Sequence, residues 1–305
     1  MLDAATLATR VSAETGLNFI GAGGRNADGT HSYQLQPSDH PPAHTFTLQV
    51  LAGWRNIEVA FKPGNFAAEL LQVMGMTEPA GRAAFVSVLD SSRERGAQVA
   101  FSLNRREHDF DDPAIWAVPW QNVRLSLQKG MLPINDGDVA ADSELIGSWV
   151  TYLAAAILAL LPLEANEAAD QVYPAEEVVG LPEGAKVSLL VNRYERDRRN
   201  RAAALAIHGH TCKACSSDMG LRYGSAAAGL IEVHHTTPVS QLGPDYIINP
   251  RTDLVPLCPN CHAVAHRRNP PYSVDEIRGL LRSPPGSPAE AGSEDAPGQA
   301  SSRST

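Results

Sequence analysis

All four cysteines of the chain fall in one stretch, as Cys212-x-x-Cys215 and Cys258-x-x-Cys261, with 42 residues between the pairs. Six of the ten histidines occupy almost the same window: His208, His210, His234, His235, His262 and His266. A disulfide framework would spread its cysteines over a short secreted domain. Two Cys-x-x-Cys knuckles instead present two thiolates each, about one turn apart, and together complete a tetrahedral four-sulfur zinc site. The competing reading, redox-active dithiols, needs one Cys-x-x-Cys at the start of a helix after a strand and leaves the second pair unexplained. A zinc held by four thiolates is coordinatively full and cannot also activate water. Any hydrolytic chemistry here falls to the histidines.

The string Leu230-Ile231-Glu232-Val233-His234-His235 alternates apolar and polar residues as a short strand does, ends in two adjacent histidines and is broken by Pro238. Asp253-Leu254-Val255-Pro256-Leu257 leads into the second knuckle, and His262 and His266 follow four residues apart. On a helix those two share one face and can grip one cation. A strand ending in His-His, a crossing loop and a helix offering His-x-x-x-His suit a hydrolytic metal site; the plainer alternative is that the histidines decorate the zinc module. Upstream, Arg193, Arg196, Arg198, Arg199 and Arg201 crowd into nine residues. They read either as a solvated helix face partly paired with Glu195 and Asp197, or as a phosphate-contacting helix leading into the cysteine site.

Together these residues resemble the HNH endonuclease domain, a ββα-metal (His-Me finger) nuclease with zinc-knuckle cysteines. The matching elements are Asn192-Arg193-Tyr194-Glu195-Arg196, Cys212-x-x-Cys215, Val233-His234-His235-x-x-Pro238 and Asp253 through His262. The resemblance spans residues 191–268, about a quarter of the chain, and its lead-in is similar to HNH domains of bacterial restriction and defence proteins, many specific for modified DNA. It implies His235 as general base, His234 and His262 as ligands of a catalytic divalent cation, and His266 as an added ligand, as in relatives carrying His-x-x-x-His. It also implies DNA hydrolysis to 5′-phosphate and 3′-hydroxyl products. The family's middle Asn, which braces the loop carrying the base, falls here at Asp253. That is a departure: Asp accepts backbone N–H bonds but cannot donate. Asn249 is a less favoured stand-in, and Asn260 belongs to the knuckle turn. An imidazole-rich site suits Mn²⁺, Ni²⁺, Co²⁺ or Zn²⁺ better than Mg²⁺, which remains compatible with activity, while a structural zinc on the four cysteines would only pin the module together.

The elements that must position these groups follow from a chain of 305 residues, long enough for two domains. Residues 1–163 read as α+β with an antiparallel sheet. Helices are expected at Ala4–Glu14, Asn65–Met74, Glu78–Arg95 and Ser143–Leu161, and strands at Thr45–Ala52, Trp54–Phe61, Gln98–Leu103 and Asn122–Gln128. Gly21-Ala22-Gly23-Gly24 lacks both phosphate-loop and dinucleotide spacing and reads as a turn. Trp54, Trp116, Trp120 and Trp149 read as core or half-buried indoles. The apolar run Trp149–Leu163 is shorter than the roughly 20 residues a bilayer needs and reads as a buried helix. Residues 164–185 read as an acidic linker, 186–282 as the domain that carries the HNH resemblance, and 283–305, rich in Pro, Gly, Ser and Ala, as a disordered tail.

Charge is polarised in the same way. The whole chain carries −9, yet Lys186–Arg282 holds 13 Lys and Arg against 8 Asp and Glu, while the remainder holds 12 against 26. The N-terminus shows no basic region before an apolar one, so a cytoplasmic protein with no membrane association is expected. The resemblance implies DNA, modified or unmodified, as the partner, and a homodimer is compatible with the sequence. The leading reading is a metal-dependent DNA endonuclease with a restriction or anti-phage role, whose N-terminal domain selects the target or senses a partner. On it, removing residues 1–165 should change target choice more than cleavage. The alternatives are a zinc-stabilised nucleic-acid-binding module without activity, and an RNA-directed nuclease.

Overall fold

A computed structural model of the protein describes residues 3–38, 40–134, 138–161, 198–237, 246–268 and 270–282. The expected linker (164–185) and tail (283–305), and Arg193 and Arg196, lie outside the described residues.

The first half is a mixed α+β body. Strands β1 (Phe19–Arg25), β2 (His31–Pro37), β3 (Phe46–Gly53), β4 (Asn56–Pro63), β5 (Gln98–Leu103), β6 (Arg106–Glu107) and β7 (Val123–Gly130) form one antiparallel sheet in the order β1-β2-β3-β4-β7-β5-β6. Period-two alternation decides its buried face: Leu48, Val50 and Ala52 on β3, Val59 and Phe61 on β4, and Leu125 and Leu127 on β7 are buried, while Gln49, Leu51 and Gln128 lie opposite. Helices α1 (Ala4–Thr15), α2 (Ala68–Gly75), α3 (Pro79–Glu94) and α4 (Val139–Leu160) cover that face. Asp3 caps α1 by accepting the Thr6 N–H, and Asp138 caps α4 by accepting from Ala140 and Ala141. Among the described residues α4 is the one helix long and apolar enough to cross a membrane, but 78% of its apolar window is buried within the protein. It is the core helix, with α1, α3 and the sheet around it.

Two expectations are corrected. Gly21–Gly24 is not a turn but part of β1, where glycine answers a need for close approach. A Cβ on Gly21 would lie 2.2 Å from the Ala4 carbonyl oxygen, and one on Gly23, which has φ +118°, would lie 2.1 Å from that of Ser32. A strand with few side chains has no alternation to read, so β1 was hidden. Trp54 is not core either. It stands 71% exposed in the β3–β4 turn, beside Arg55 with φ 58°. Trp120 and Trp149 are buried, and Trp116 stacks on Trp120 with ring centroids 5.1 Å apart.

The second half begins with α5 (Arg198–His208) and continues through α6 (Met219–Tyr223), β8 (Glu232–His235), β9 (Leu254–Leu257), α7 (Pro259–Ala265) and α8 (Val274–Arg282). Its own core is small: Leu205, Cys212, Ala214, Ile231, Leu257, Cys258, Cys261, Ala265 and Ile277. The helix α5 serves both halves. Ala202, Ala203, Ala206 and Ile207 belong to the N-terminal core, whereas Leu205 belongs to the small one.

Candidate metal centre

Backbone geometry brings the two knuckles together. Ser216 takes the left-handed conformation (φ 58°) and donates its N–H to the Cys212 carbonyl at 2.9 Å, curling the first pair into a turn. The Lys213 N–H donates to the Pro256 carbonyl at 2.9 Å, fastening that turn to β9. At the end of β9, Cys258 is the N-cap residue of α7, with Pro259 at its first position. All four sulfurs then lie within 4.8 Å of one another. The Cys215 and Cys258 sulfurs are 3.6 Å apart, far beyond a disulfide bond. Two thiolates on one tetrahedral zinc stand roughly 3.8 Å apart, so the set can hold a structural zinc. Burial works to raise the Cys215 thiol, but hydrogen bonds from Ser217, Cys212 and Cys258 outweigh it and bring the pKa to about 6. Burial holds the Cys258 and Cys261 thiols up. One thiolate forms readily here; four need a cation among them.

One residue past the last cysteine, a second cluster begins. In the β8–β9 pair His234 lies opposite Val255 and His235 opposite Leu254. From β8, His234 meets His262 on α7 and His266 at its C-cap, with ligand nitrogens of the three within 4.8 Å of one another. Their ring centroids are 4.7–5.3 Å apart and their planes 73–79° from each other, so the imidazoles surround one point edge-on. Buried nitrogens of two of them, His234 Nδ1 and His262 Nε2, have no hydrogen-bond partner, as ligand atoms awaiting a cation would. Burial first, then the neighbouring His262, His266 and His235, depress His234 to about pKa 4, so its ring is neutral at physiological pH. His234 is buried, His262 half-buried and His266 exposed. The sulfur set offers four ligands, enough to close a tetrahedral site, whereas the imidazole set offers three and is exposed on its His266 side.

Sequence reading missed Glu232. Its carboxylate accepts from His262 Nδ1 and so fixes the tautomer that turns Nε2 toward the other imidazoles. The signal was present: Glu232 and His234 are two apart on one strand and face the same way. A Glu232→Gln variant is expected to weaken Mn²⁺ or Co²⁺ binding about 10- to 100-fold in a titration, as loss of such partners does. Unchanged affinity would show that the carboxylate does not orient the ligand.

Next to the triad, His235 points from the other face of the strand and is 7% exposed. Asp253 is a brace and does not join the triad. Its carboxylate accepts the Tyr246 hydroxyl at 3.0 Å, the Asn249 N–H at 2.8 Å and the Thr252 hydroxyl at 2.9 Å, and its carbonyl accepts the Thr236 N–H at 2.8 Å. All three side-chain bonds need an acceptor. The single amide oxygen of an Asn has two lone pairs, so Asp is the residue this turn requires. Two of the arginines expected on a phosphate-binding face turn inward. Arg199 pairs with Glu78, and Arg201 donates to the Ile231 carbonyl at 3.0 Å, steadying the lead-in to β8. Arg198 is exposed.

No protein-family model, curated protein or solved structure matches the chain.

Proposed function

We propose that the protein is a metal-dependent endonuclease of the HNH type that hydrolyses phosphodiester bonds in DNA. The observation that carries this reading is the pairing of a closed four-sulfur cluster with an adjacent, open three-imidazole cluster built on an antiparallel β8–β9 pair and the helix that follows. A binding module needs only the first. His234, His262 and His266 would hold one divalent cation, which supplies polarisation of the scissile phosphate and stabilisation of the leaving 3′-oxygen. With His234 committed as a ligand, His235 is the remaining imidazole of the pair. It takes a proton from water as the water oxygen bonds to phosphorus and the P–O3′ bond breaks. Asp253 keeps the chain in place directly after that base. Arg198, which is exposed, would meet backbone phosphates, with Arg193 and Arg196 proposed for the same role from the sequence, since Arg199 and Arg201 are used within the protein. A restriction or anti-phage role in bacteria belongs to the same reading.

The test is nicking of supercoiled plasmid, unmodified and cytosine-modified, with Mg²⁺, Mn²⁺, Co²⁺ or Ni²⁺ in turn. Wild type should cut with at least one metal, and His235→Ala should lose about 100-fold or more in rate while keeping its zinc and its Co²⁺ affinity. Inactive wild type on every DNA, with activity on RNA, would transfer the reading to an RNA-directed nuclease. No activity on either would leave a binding module.

A further inference from the structure

The turn Asn249–Asp253 has two sides. On one it closes on itself and on the strand bearing His235: the Asn249 N–H donates to Asp253 Oδ2 at 2.8 Å, and the Asp253 N–H returns to the Asn249 carbonyl at 2.9 Å. Thr236, the residue after His235, then donates its N–H to the Asp253 carbonyl at 2.8 Å and its hydroxyl to the Thr252 carbonyl at 3.2 Å. The other side of the turn is held by the first half of the protein and by α5. Arg251 Nη1 meets Glu94 of α3 at 2.5 Å, the Ser87 hydroxyl of α3 donates to Asn249 Oδ1 at 3.4 Å, and His208 Nε2 meets the Pro250 carbonyl at 3.1 Å. Three successive turn residues are thus gripped from outside the C-terminal module's own core. Glu94 is the one acidic partner of Arg251 among the described residues, and Arg251 Nη2 is buried without a hydrogen-bond partner. Losing Glu94 would leave that guanidinium half-buried without a counter-ion, which costs more than losing a surface pair.

We infer that Glu94 and Arg251 are positioning residues for His235: α3, through this ion pair and the Asp253 turn, sets where the base stands. The inference rests on the reading of His235 as the base. It makes α3 a mechanical link by which events at the N-terminal body reach the reacting water, with no need for that body to touch the scissile phosphate.

The test uses the full-length protein with Glu94→Arg, Arg251→Glu and the double exchange. Three quantities are read: kcat and KM for Mn²⁺-dependent nicking, Co²⁺ affinity, and hydrogen exchange of the Thr236 amide. Each single variant is expected to lower kcat roughly tenfold and to speed Thr236 exchange comparably, with KM and Co²⁺ affinity within about twofold of wild type. The exchanged pair should recover most of both losses, as a direct interaction does in a double-mutant cycle. Single variants with wild-type kcat and wild-type Thr236 exchange would overturn the inference, as would an exchanged pair that recovers neither. If wild type cuts nothing, the nuclease reading fails by itself, and Thr236 exchange still decides whether α3 holds the turn. Should a charge reversal melt the protein, Glu94→Gln and Arg251→Gln take its place, alone and together, and a double variant no worse than either single one shows the same coupling.

Discussion

A Cys258→Ser variant, or protein stripped of zinc by a chelator, is expected to lose metal binding at His234, His262 and His266 and with it essentially all cleavage. The N-terminal body should meanwhile keep its own thermal transition. The reason lies in how α7 begins. Cys258 is its N-cap residue, and the His262 N–H donates to the Cys258 carbonyl at 2.9 Å. Between Cys258 and His266 lie only the seven residues of α7, too few to hold a helix in water without tertiary support. That support is a core of nine buried residues, three of them cysteines. A structural zinc contributes on the order of 10 kcal/mol to such modules, more than nine residues of this size can replace. Without the sulfur cluster, the Glu232–His262 pair is the side-chain bond left to keep His262 and His266 beside His234, too little to order a helix this short. Zinc content, Co²⁺ titration and calorimetry on the same sample check the claim. A stripped protein that still binds Co²⁺ at wild-type affinity would show that β8, β9 and α8 suffice to hold α7.

Much of this site could be read before any coordinates because its residue types are rare and its spacings short. Cys-x-x-Cys fixes two sulfurs within one turn of chain, and His-x-x-x-His brings two imidazoles to one side of a helix, so the pairs within each cluster follow from local geometry, while joining the pairs and adding His234 takes the fold. The helices and most of the strands of the first half were legible for the same reason: α3 and α4 repeat apolar residues at helical spacing, and β3 alternates. What stayed hidden depends on contacts between distant segments. β1 is a glycine-rich strand that exists because α1 lies close above it. The inward turn of Arg199 and Arg201 depends on Glu78 and on the Ile231 carbonyl, 121 and 30 residues away in sequence. Asp253 stood out in the sequence as a departure at a family Asn position, but the reason for it, three donors around one carboxylate, is visible only in the folded turn.

The fold also changes what deleting the first half should do. Residues 164–305 alone are expected to yield no cooperatively folded module and no cleavage of any substrate, in place of the shift in target choice that a two-part reading of the sequence suggests. Removing residues 1–163 uncovers Ala202, Ala203, Ala206 and Ile207, the face of α5 that belongs to the N-terminal core. It also takes away Glu78 from Arg199, Glu94 from Arg251, and Glu14 from His210, the last pair 3.1 Å apart with Glu14 only 5% exposed. Glu14 shows how deep this junction runs. Burial alone would raise its pKa, but His210 and Arg10 outweigh it and hold the carboxylate ionised. The module would thus lose an apolar face, two ion pairs and the Glu14–His210 contact at once, against a core whose small size leaves it little stability in reserve. Calorimetry and Mn²⁺-dependent nicking on the fragment, alone and after adding residues 1–163 in trans, provide the check. Recovery only with the added piece would confirm that the two halves complete one structure. A fragment that melts cooperatively and nicks at the wild-type rate by itself would show that α5 and the zinc knuckles are sufficient. In the expected case, any influence of the N-terminal body on cleavage passes through its contacts with α5, His210 and the Asp253 turn, which come from α1, α3 and α4.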